Sequence, residues 1–545
     1  MSDRALRDAG IVFERSVAVP MRDGAKLSAN IFRPAEGKRV PVIMSVTPYG
    51  KDKLPDRIGN FFMRLAGVRF GDINISRYTG FEAPDPFYWV RAGYAVLQAD
   101  VRGMHKSEGR ASVLSTQDAE DYYDLIEWAG MQGWCDGGVA LSGVSYLAMS
   151  QWRVAPLKPP HLKAIMPWEG VSDLYREFAF QGGIPETGFI PIWWKNRMKR
   201  GRNRKFPMAE DFLAETKRRP LIDQYWRDKQ PALEEIDVPA LVCASWSDQG
   251  LHTRGSFEAF ARIGSKQKWL YTHGRKKWET YYSTEALATQ KRFLDHFLKG
   301  QEDNGWNEIP PVRIEMRKAY YQHELRYEQQ WPLPDTRHTS LYLDADNKAL
   351  TAEPPVATSV AVYDSKKDPK KDPKKGRVTF IHRFAEAVEL TGETKVRLWV
   401  STSEGDDIDL FVVLRKFTAK GKKGKEVFFC GYNGYEKDAV AKGWLRVSHR
   451  ALDPEKSRPS RPYHSHKQID KLVPDRIVPV EIEILPSSTW FEAGSRLELS
   501  VQGTDAAKYP AFKHKNNVNR GKHSIHCGGN FESYLLVPLV RGRIV

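Results

Sequence analysis

The stretch Val139-Ala140-Leu141-Ser142-Gly143-Val144-Ser145-Tyr146-Leu147-Ala148 decides the fold. It begins as a short apolar strand, turns sharply at Gly143-Val144-Ser145 and continues into Tyr146-Leu147-Ala148-Met149 with helix-forming residues. A strand that reverses into a helix around one serine has the geometry of a nucleophile elbow. Small residues flank such a serine because the tight turn leaves little room for side chains. The hydroxyl is then held clear of the sheet, above a helix N-terminus whose free N–H groups can stabilise an anion. The second glycine usual in this motif is missing: position 147 is Leu and the next small residue is Ala148. Gly-x-Ser is common by chance, and an ordinary strand-to-helix turn reads the same way, so the surrounding chain carries the weight.

Upstream of the elbow, Ser16–Pro20 and Lys26–Phe32 alternate around Met21-Arg22-Asp23-Gly24. Asp-Gly between alternating segments is a strong hairpin signal. Val40-Pro41-Val42-Ile43-Met44-Ser45-Val46 and Tyr94-Ala95-Val96-Leu97-Gln98-Ala99-Asp100 are apolar runs of the kind found in buried strands. They end at Thr47-Pro48-Tyr49-Gly50-Lys51 and at Val101-Arg102-Gly103. Between Asp118 and Met131 the apolar face of Leu125, Ile126, Trp128 and Ala129 predicts a helix, and Gln132–Gly138 reads as the loop into the elbow strand. Downstream, Pro239–Trp246 and Lys268–Gly274 resume the strand pattern, and a helix from about Ser283 to Leu298 ends at Lys299-Gly300, a glycine where a C-cap belongs. Buried strands alternating with helices predict a mainly parallel α/β sheet, whose site lies at the carboxyl ends of the strands.

At 545 residues the chain exceeds one hydrophobic core, so more than one domain is expected. The α/β pattern fills residues 1–306. Within it, about 172–235 reads as a helical cap rich in aromatics, where Trp193–Lys205 combines two tryptophans with seven positive charges. From 307 to 545 helical periodicity nearly vanishes, and short β-type segments such as Lys395–Ser401 and Arg496–Val501 predict a sandwich or jelly roll. No apolar run approaches the ~20 residues of a membrane span. The charged N-terminus lacks the apolar core of a signal peptide, so a cytoplasmic protein is expected. Four scattered cysteines (Cys135, Cys243, Cys430, Cys527) suggest neither a zinc site nor a disulfide framework. The net charge of +16 invites a nucleic-acid reading, but no helix-turn-helix, zinc-finger or RNA-binding signature focuses it. A solvated basic surface is the expectation, with attraction of anionic substrates by the cap as the sharper alternative.

A serine nucleophile needs a base to take its proton and a third group to orient that base. In this kind of sheet the chain order is serine, acid, histidine. Asp248 follows one late strand in Trp246-Ser247-Asp248 and His273 ends the next, so Ser145, Asp248 and His273 form the expected triad. His252, four residues after Asp248 on the following helix, is less well placed, as is the loop residue His105; His296 reads as a packing residue. Asp100 reads as structural, pairing with Arg102 or bracing loops. The Tyr146 N–H is the expected first oxyanion donor, and Tyr49 is a candidate for the second, although a tyrosine there is as a rule a packed aromatic.

Together these residues resemble the CocE/NonD group of serine hydrolases, which includes cocaine esterase and X-prolyl dipeptidyl-peptidases. The likeness runs over nearly the whole chain: Met21–Gly24, Thr47-Pro48-Tyr49, Asp100–Gly103 with Ser107-Glu108-Gly109, Gly143–Leu147, Trp246-Ser247-Asp248, Phe293–Gly300, Leu445–Arg450 and Ser524–Leu535. The resemblance implies an α/β-hydrolase domain with a helical cap and a C-terminal galactose-binding-like jelly roll. It also implies that the tyrosine of the Pro-Tyr motif, here Tyr49, donates to the oxyanion. Two departures stand out. Ala148 replaces the family's usual Gly, and the segment that usually reads Gly-Pro-Trp-x-His is here Thr272-His273-Gly274-Arg275-Lys276-Lys277-Trp278, with its histidine earlier.

The leading expectation is a serine hydrolase of an ester or amide, with no metal and no cofactor. Trp168, Phe189, Trp193 and Trp194 are candidates for an apolar substrate pocket. The expected partner is a small-molecule ester or amide, with neither nucleic acid nor membrane; a homo-oligomer is compatible with this reading. An esterase is favoured over an X-Pro dipeptidyl-peptidase because the peptidases hold a free amine with acidic groups, whereas this cap is basic. The rivals are a family member without its base that acts as a binding protein, and nucleic-acid binding through the cap.

Overall fold

A computed structural model describes residues 4–52, 73–419, 424–432, 437–507 and 509–544. The hairpin forms as its Asp-Gly turn predicts. Strand β1 (Ile11–Pro20) runs antiparallel to β2 (Lys26–Pro34), with a register shift between Glu14 and Val17. Next come β3 (Val40–Thr47), β4 (Ala95–Asp100), β5 (Cys135–Val144) and β6 (Leu162–Trp168). The strand pair β7 (Phe180–Gln181) and β8 (Ile184–Pro185) lies in the cap. Strands β9 (Ala240–Ser245), β10 (Lys268–His273), β11 (Val312–Ala319) and β12 (Gln322–Glu328) follow.

In space the first sheet runs β1-β2-β4-β3-β5-β6-β9-β10-β11-β12, parallel from β4 to β11 and antiparallel at both margins. Its central strands are buried on both faces, which is why β3, β4 and β9 read as unbroken apolar runs rather than alternating ones. β5 begins at Cys135, inside the segment expected to be loop. The sheet also continues past residue 306, since β11 pairs in parallel with β10.

Helices cover the faces, and local sequence marks their ends. Ser115 and Asp118 form a capping box at the start of Thr116–Gly130. Ser283 caps Thr284–Lys299, and Gly300 closes it in the left-handed conformation at φ 64°. The cap is helical only in short pieces, Phe189–Trp193, Phe212–Arg218 and Gln224–Asp228 among them. Aromatic packing unites them: Phe212 lies against Phe178, Trp193, Trp194 and Trp226.

The C-terminal region is a β domain whose pairings close into a ring. From Arg337–Asp344 the ring passes through Ala349–Thr351, Arg377–Arg383, Arg496–Gln502, Asp409–Phe417, Ala441–Arg446, Val478–Phe491, Val388–Thr402 and Tyr534–Arg541, then returns to Arg337–Asp344. Closure leaves few exposed edges, and the interior is filled by residues such as Leu341, Leu398, Leu410, Ile482 and Leu499. The two sheets meet where Arg317 of β11 pairs with Thr489, and Arg254 bridges Glu177 and Glu483 at 2.7 and 2.9 Å. Among the described residues no helix is long and apolar enough to cross a membrane.

Candidate active site

Ser145 sits between β5 and the helix Tyr146–Val154 with φ 62° and ψ −117°, a conformation disfavoured for a side chain with a Cβ and held by its surroundings. Its N–H donates to the Trp168 carbonyl at 3.1 Å, and the preceding Val144 N–H donates to the Glu82 carbonyl at 3.1 Å. Gly143 is required by space: a Cβ there would lie 2.5 Å from the Leu147 Cβ. Leu147 thus occupies room that the glycine leaves open. Ala148 is accommodated by Gly170, whose own Cβ would come within 3.1 Å of the Ala148 methyl.

The Ser145 Oγ lies 3.0 Å from Nε2 of His252, and Nδ1 of His252 is hydrogen-bonded to Asp248 Oδ2. The turn after β9 builds this contact. The Asp248 carbonyl accepts from the N–H groups of Leu251, His252 and Thr253 at 3.2–3.3 Å, so the chain curls at once into the helix Thr253–Arg262. Side chains four residues apart then face one another. Burial alone would raise the Asp248 pKa; His252 and Lys277 outweigh it and hold the carboxyl below its ordinary value.

His273 is not at the serine. It ends β10 fully buried, with Nε2 2.8 Å from Glu169 Oε1, while its Nδ1 accepts the Arg275 N–H at 3.2 Å. These two contacts fix a neutral tautomer with the proton on Nε2 and leave neither nitrogen for Ser145. The expected serine–histidine pair is therefore corrected: the histidine beside Ser145 is His252. The sequence signal for it was the spacing Asp248-x-x-x-His252, which placement by strand ends passes over.

Glu169 links the two histidines. Its carboxylate groups with Cys243 and His273 on one side and with Asp248 and His252 on the other, the potential ligand atoms of each group lying within 4.8 Å of one another. Its oxygens are already engaged, one by His273 and the other by the Ser245 hydroxyl at 2.8 Å, so it serves here as a hydrogen-bond acceptor. Lys277, 4 % exposed, places Nζ 3.4 Å from Glu82 Oε1 and 3.9 Å from Asp248 Oδ2. Sequence reading gave Lys277 and Glu82 no role. The Glu82 carboxyl also accepts the Trp278 indole N–H at 3.0 Å, and burial raises its pKa against the opposing pull of Lys277.

Tyr49 is 8 % exposed, its ring edge-on to Phe81 at 5.3 Å and 6.3 Å from that of Tyr146. Burial, reinforced by Glu82, pushes its phenol pKa well above the ordinary value, which keeps it a neutral donor. The Trp193 indole opposes part of that rise. The turn carrying Tyr49 is braced by His105, whose Nε2 lies 3.1 Å from the Pro48 carbonyl, and by Asp100, which accepts the Lys51 N–H at 2.8 Å. Asp100 thus braces a loop, while Arg102 pairs with Asp23 at 2.9 Å and Asp121 at 2.6 Å. Tyr146 opens the elbow helix, where backbone N–H groups have no intrahelical acceptor.

The four aromatic candidates divide. Trp193 reaches Tyr49, and Phe189 is half-buried and stacks on Phe512 of the β domain at 5.1 Å. Trp168 is fully buried between Tyr271 and Tyr281, each at 5.3 Å, and contributes its carbonyl rather than its ring. Trp194 packs into the cap interior against Phe212. Both are corrected from pocket to core: Trp168 because strand β6 aims its ring beneath the sheet's end, Trp194 because the cap's aromatic cluster encloses it. His296 turns toward the Gln301 carbonyl at 3.2 Å, away from the site.

Residues 23–276 match the X-Pro dipeptidyl-peptidase (S15 family) model, and residues 304–536 match the X-Pro dipeptidyl-peptidase C-terminal non-catalytic domain. A solved CocE/NonD family hydrolase from Staphylococcus aureus is 44 % identical, superposes with a TM-score of 0.92, and is matched over 97 % of this chain and 94 % of its own. The chain belongs to the CocE/NonD family. Cocaine esterase from a Rhodococcus strain is similar at 25 % identity, over 96 % of this chain and 98 % of that protein. An α-amino acid ester hydrolase, 17 % identical with a TM-score of 0.73 over 97 % of both chains, shares the fold. This CocE/NonD chain is accordingly a serine hydrolase of ester or amide bonds, built as an α/β-hydrolase unit followed by a β domain.

Proposed function

We propose that this chain is an esterase in which Ser145 is the nucleophile, His252 the general base and Asp248 the residue that orients it. The observation that carries this reading is the unbroken hydrogen-bonded line from Ser145 Oγ through the His252 imidazole to Asp248. Ser145 Oγ attacks the acyl carbon and its proton passes to His252 Nε2. Asp248 steadies the imidazolium that forms, and His252 returns the proton to the departing alkoxide as the acyl–enzyme bond remains. Water then attacks the acyl carbon, gives its proton to the same nitrogen, and releases the acid with Ser145 restored. The Tyr49 phenol and the Tyr146 N–H donate to the oxyanion of both tetrahedral intermediates. Lys277 balances the charge of Asp248 in a site where water is scarce and Coulomb forces act strongly.

The cap supports ester rather than dipeptide substrates, because its site-facing helix brings cations and no carboxylate that would hold a free amine. Phe189 and Trp193 are the proposed pocket aromatics. For the C-terminal domain we propose a galactose-binding-like jelly roll, supported by its closed ring of mostly antiparallel pairings. The test is hydrolysis of short-chain p-nitrophenyl esters together with fluorophosphonate labelling. Wild type turns over and labels at Ser145, and Ser145→Ala does neither. A folded wild type that neither labels nor hydrolyses any ester returns the chain to the binding-protein reading.

A further inference from the structure

The cap helix beside the oxyanion tyrosine changes pitch at a telling place. Phe189–Trp193 is α-helical, and Trp194–Lys199 continues as a π-helix. Single π-helical turns are rare and concentrate at functional sites. Arg197 stands about one turn after Trp193, so the two lie on neighbouring sides of the helix. The Trp193 indole is near enough to the Tyr49 phenol to oppose part of the rise in its pKa. The Arg197 guanidinium lies over the Phe81 ring, 5.7 Å from its centroid, and Phe81 is the ring that packs edge-on against Tyr49 at 5.3 Å. The charge of Arg197 is felt at the Tyr49 hydroxyl, where it opposes the upward push of burial and Glu82.

Arg197 shares with Lys195 and Arg200 a charge that has no ion pair among the described residues, and of these three it is the one that lies over Phe81. Lys199 is paired with Asp211 at 3.0 Å, and Arg219 with Glu215 at 2.7 Å. Among the described residues Arg197 makes no ion pair, and it is exposed. A guanidinium on an aromatic face keeps its in-plane donors available for a carboxylate, which they match two at a time. It stands one aromatic ring away from the group that receives the substrate carbonyl oxygen.

We propose that Arg197 is a specificity residue and that the preferred substrates are esters carrying a second, free carboxylate. The inference rests on the serine-hydrolase reading of Ser145, His252 and Asp248. The uncharged end of such a substrate lies against Phe81 and Trp193, its ester carbonyl meets Tyr49, and its carboxylate meets Arg197. The charge does no chemistry; it lowers the KM of the anionic substrate.

The experiment measures kcat/KM by pH-stat for two matched pairs. Monomethyl glutarate against methyl valerate places the carboxylate on the acyl side; 4-acetoxybenzoate against phenyl acetate places it on the alcohol side. Wild type is expected to favour the carboxylated member of one pair, and that pair identifies the side that Arg197 reads. The preference should fall as salt is added, because the guanidinium is solvent-exposed. Arg197→Met should cut the carboxylated-to-neutral ratio about tenfold or more, mainly through KM, as expected for a lost charge-assisted hydrogen bond. Arg197→Lys should restore part of it. Equal rates within both pairs for wild type overturn the proposal, as does a ratio unmoved in Arg197→Met; the wild-type ratio and its salt dependence decide even where that variant does not fold. Inertness toward all four esters with Ser145 still labelled by fluorophosphonate overturns this proposal alone. Inertness without labelling overturns the serine-hydrolase reading beneath it as well.

Discussion

Two histidine–carboxylate pairs stand side by side at the ends of the central strands, and only one of them meets the serine. Asp248 and His252 are four residues apart on one tight turn; Glu169 and His273 are 104 residues apart at the ends of β6 and β10. Both are buried and both join an imidazole to a carboxylate. They differ in which nitrogen faces the acid. His252 gives Nδ1 to Asp248, which leaves Nε2 free to accept the serine proton. His273 gives Nε2 to Glu169 and accepts a backbone N–H at Nδ1, so its proton inventory is closed. An imidazole placed to act as a base thus differs from one whose two nitrogens are both engaged by a spare nitrogen as much as by position.

The largest expected effect breaks the comparison on the catalytic side. His252→Ala should lower kcat on a p-nitrophenyl ester by about 10³-fold or more with the fold intact, as for loss of any triad member. If His273→Ala caused that loss and His252→Ala did not, the two pairs would have to exchange roles.

A smaller effect is expected from Lys277→Met, which removes the cation 3.9 Å from Asp248 while keeping an apolar stem of similar length. Loss of one buried charge interaction should lower kcat about tenfold to a hundredfold. The site would also be one charge more negative, so it would hold its proton more tightly and the acid limb of the pH–rate profile would move to higher pH. A stabilising role without electrostatic influence would change the melting temperature and leave that limb where it was.

His273→Ala should leave turnover within about tenfold of wild type. It strands the Glu169 carboxylate in a fully buried position, and leaving a buried acceptor without its hydrogen-bond donor costs about 1–3 kcal/mol of stability, more where the acceptor is charged. Denaturant unfolding alongside ester hydrolysis separates the two outcomes. A stable but inactive variant would show that the second pair takes part in the reaction.

Much of this molecule was legible in the sequence because the signals were local. Asp23-Gly24 dictated the hairpin, the apolar runs gave the parallel strands, and Gly143-Val144-Ser145 gave the elbow. Asp248, which lies against His252, was singled out by its place after a strand. His252 was undervalued because strand-end logic ranks residues by chain position, whereas the turn after Asp248 folds back within four residues. Trp168 and Trp194 were misplaced for a related reason: residue type says that a ring will be buried, not which face of the element buries it. Lys277 and Glu82 lay beyond reach, since their pairing joins segments almost two hundred residues apart and no local pattern announces it.

The comparison extends to histidines that have no carboxylate partner among the described residues. His449, His464 and His466 cluster where the β domain meets the cap, His466 with its ring 5.1 Å from that of Tyr175, and Arg176 donating to the His464 carbonyl at 2.9 Å. Burial holds His449 and His464 down to about 4 and His466 well below its ordinary value, and the positive charges of Arg446 and Arg176 act in the same direction. Asp407, Asp409 and Glu483 pull the other way without prevailing. A histidine free in the unfolded chain takes up its proton near pH 6.5. The folded state therefore binds fewer protons between pH 6.5 and about 4, and stability is full above that window and lost as pH falls through it. Each of His449 and His464 contributes on the order of 3 kcal/mol across the window. The melting temperature should accordingly fall between pH 6.5 and 4, and His464→Gln should flatten that fall by about one histidine's share. A melting temperature that stays level to pH 4 would mean that these imidazoles are protonated in the folded protein. They would then need an anionic partner, as His252 and His273 already have.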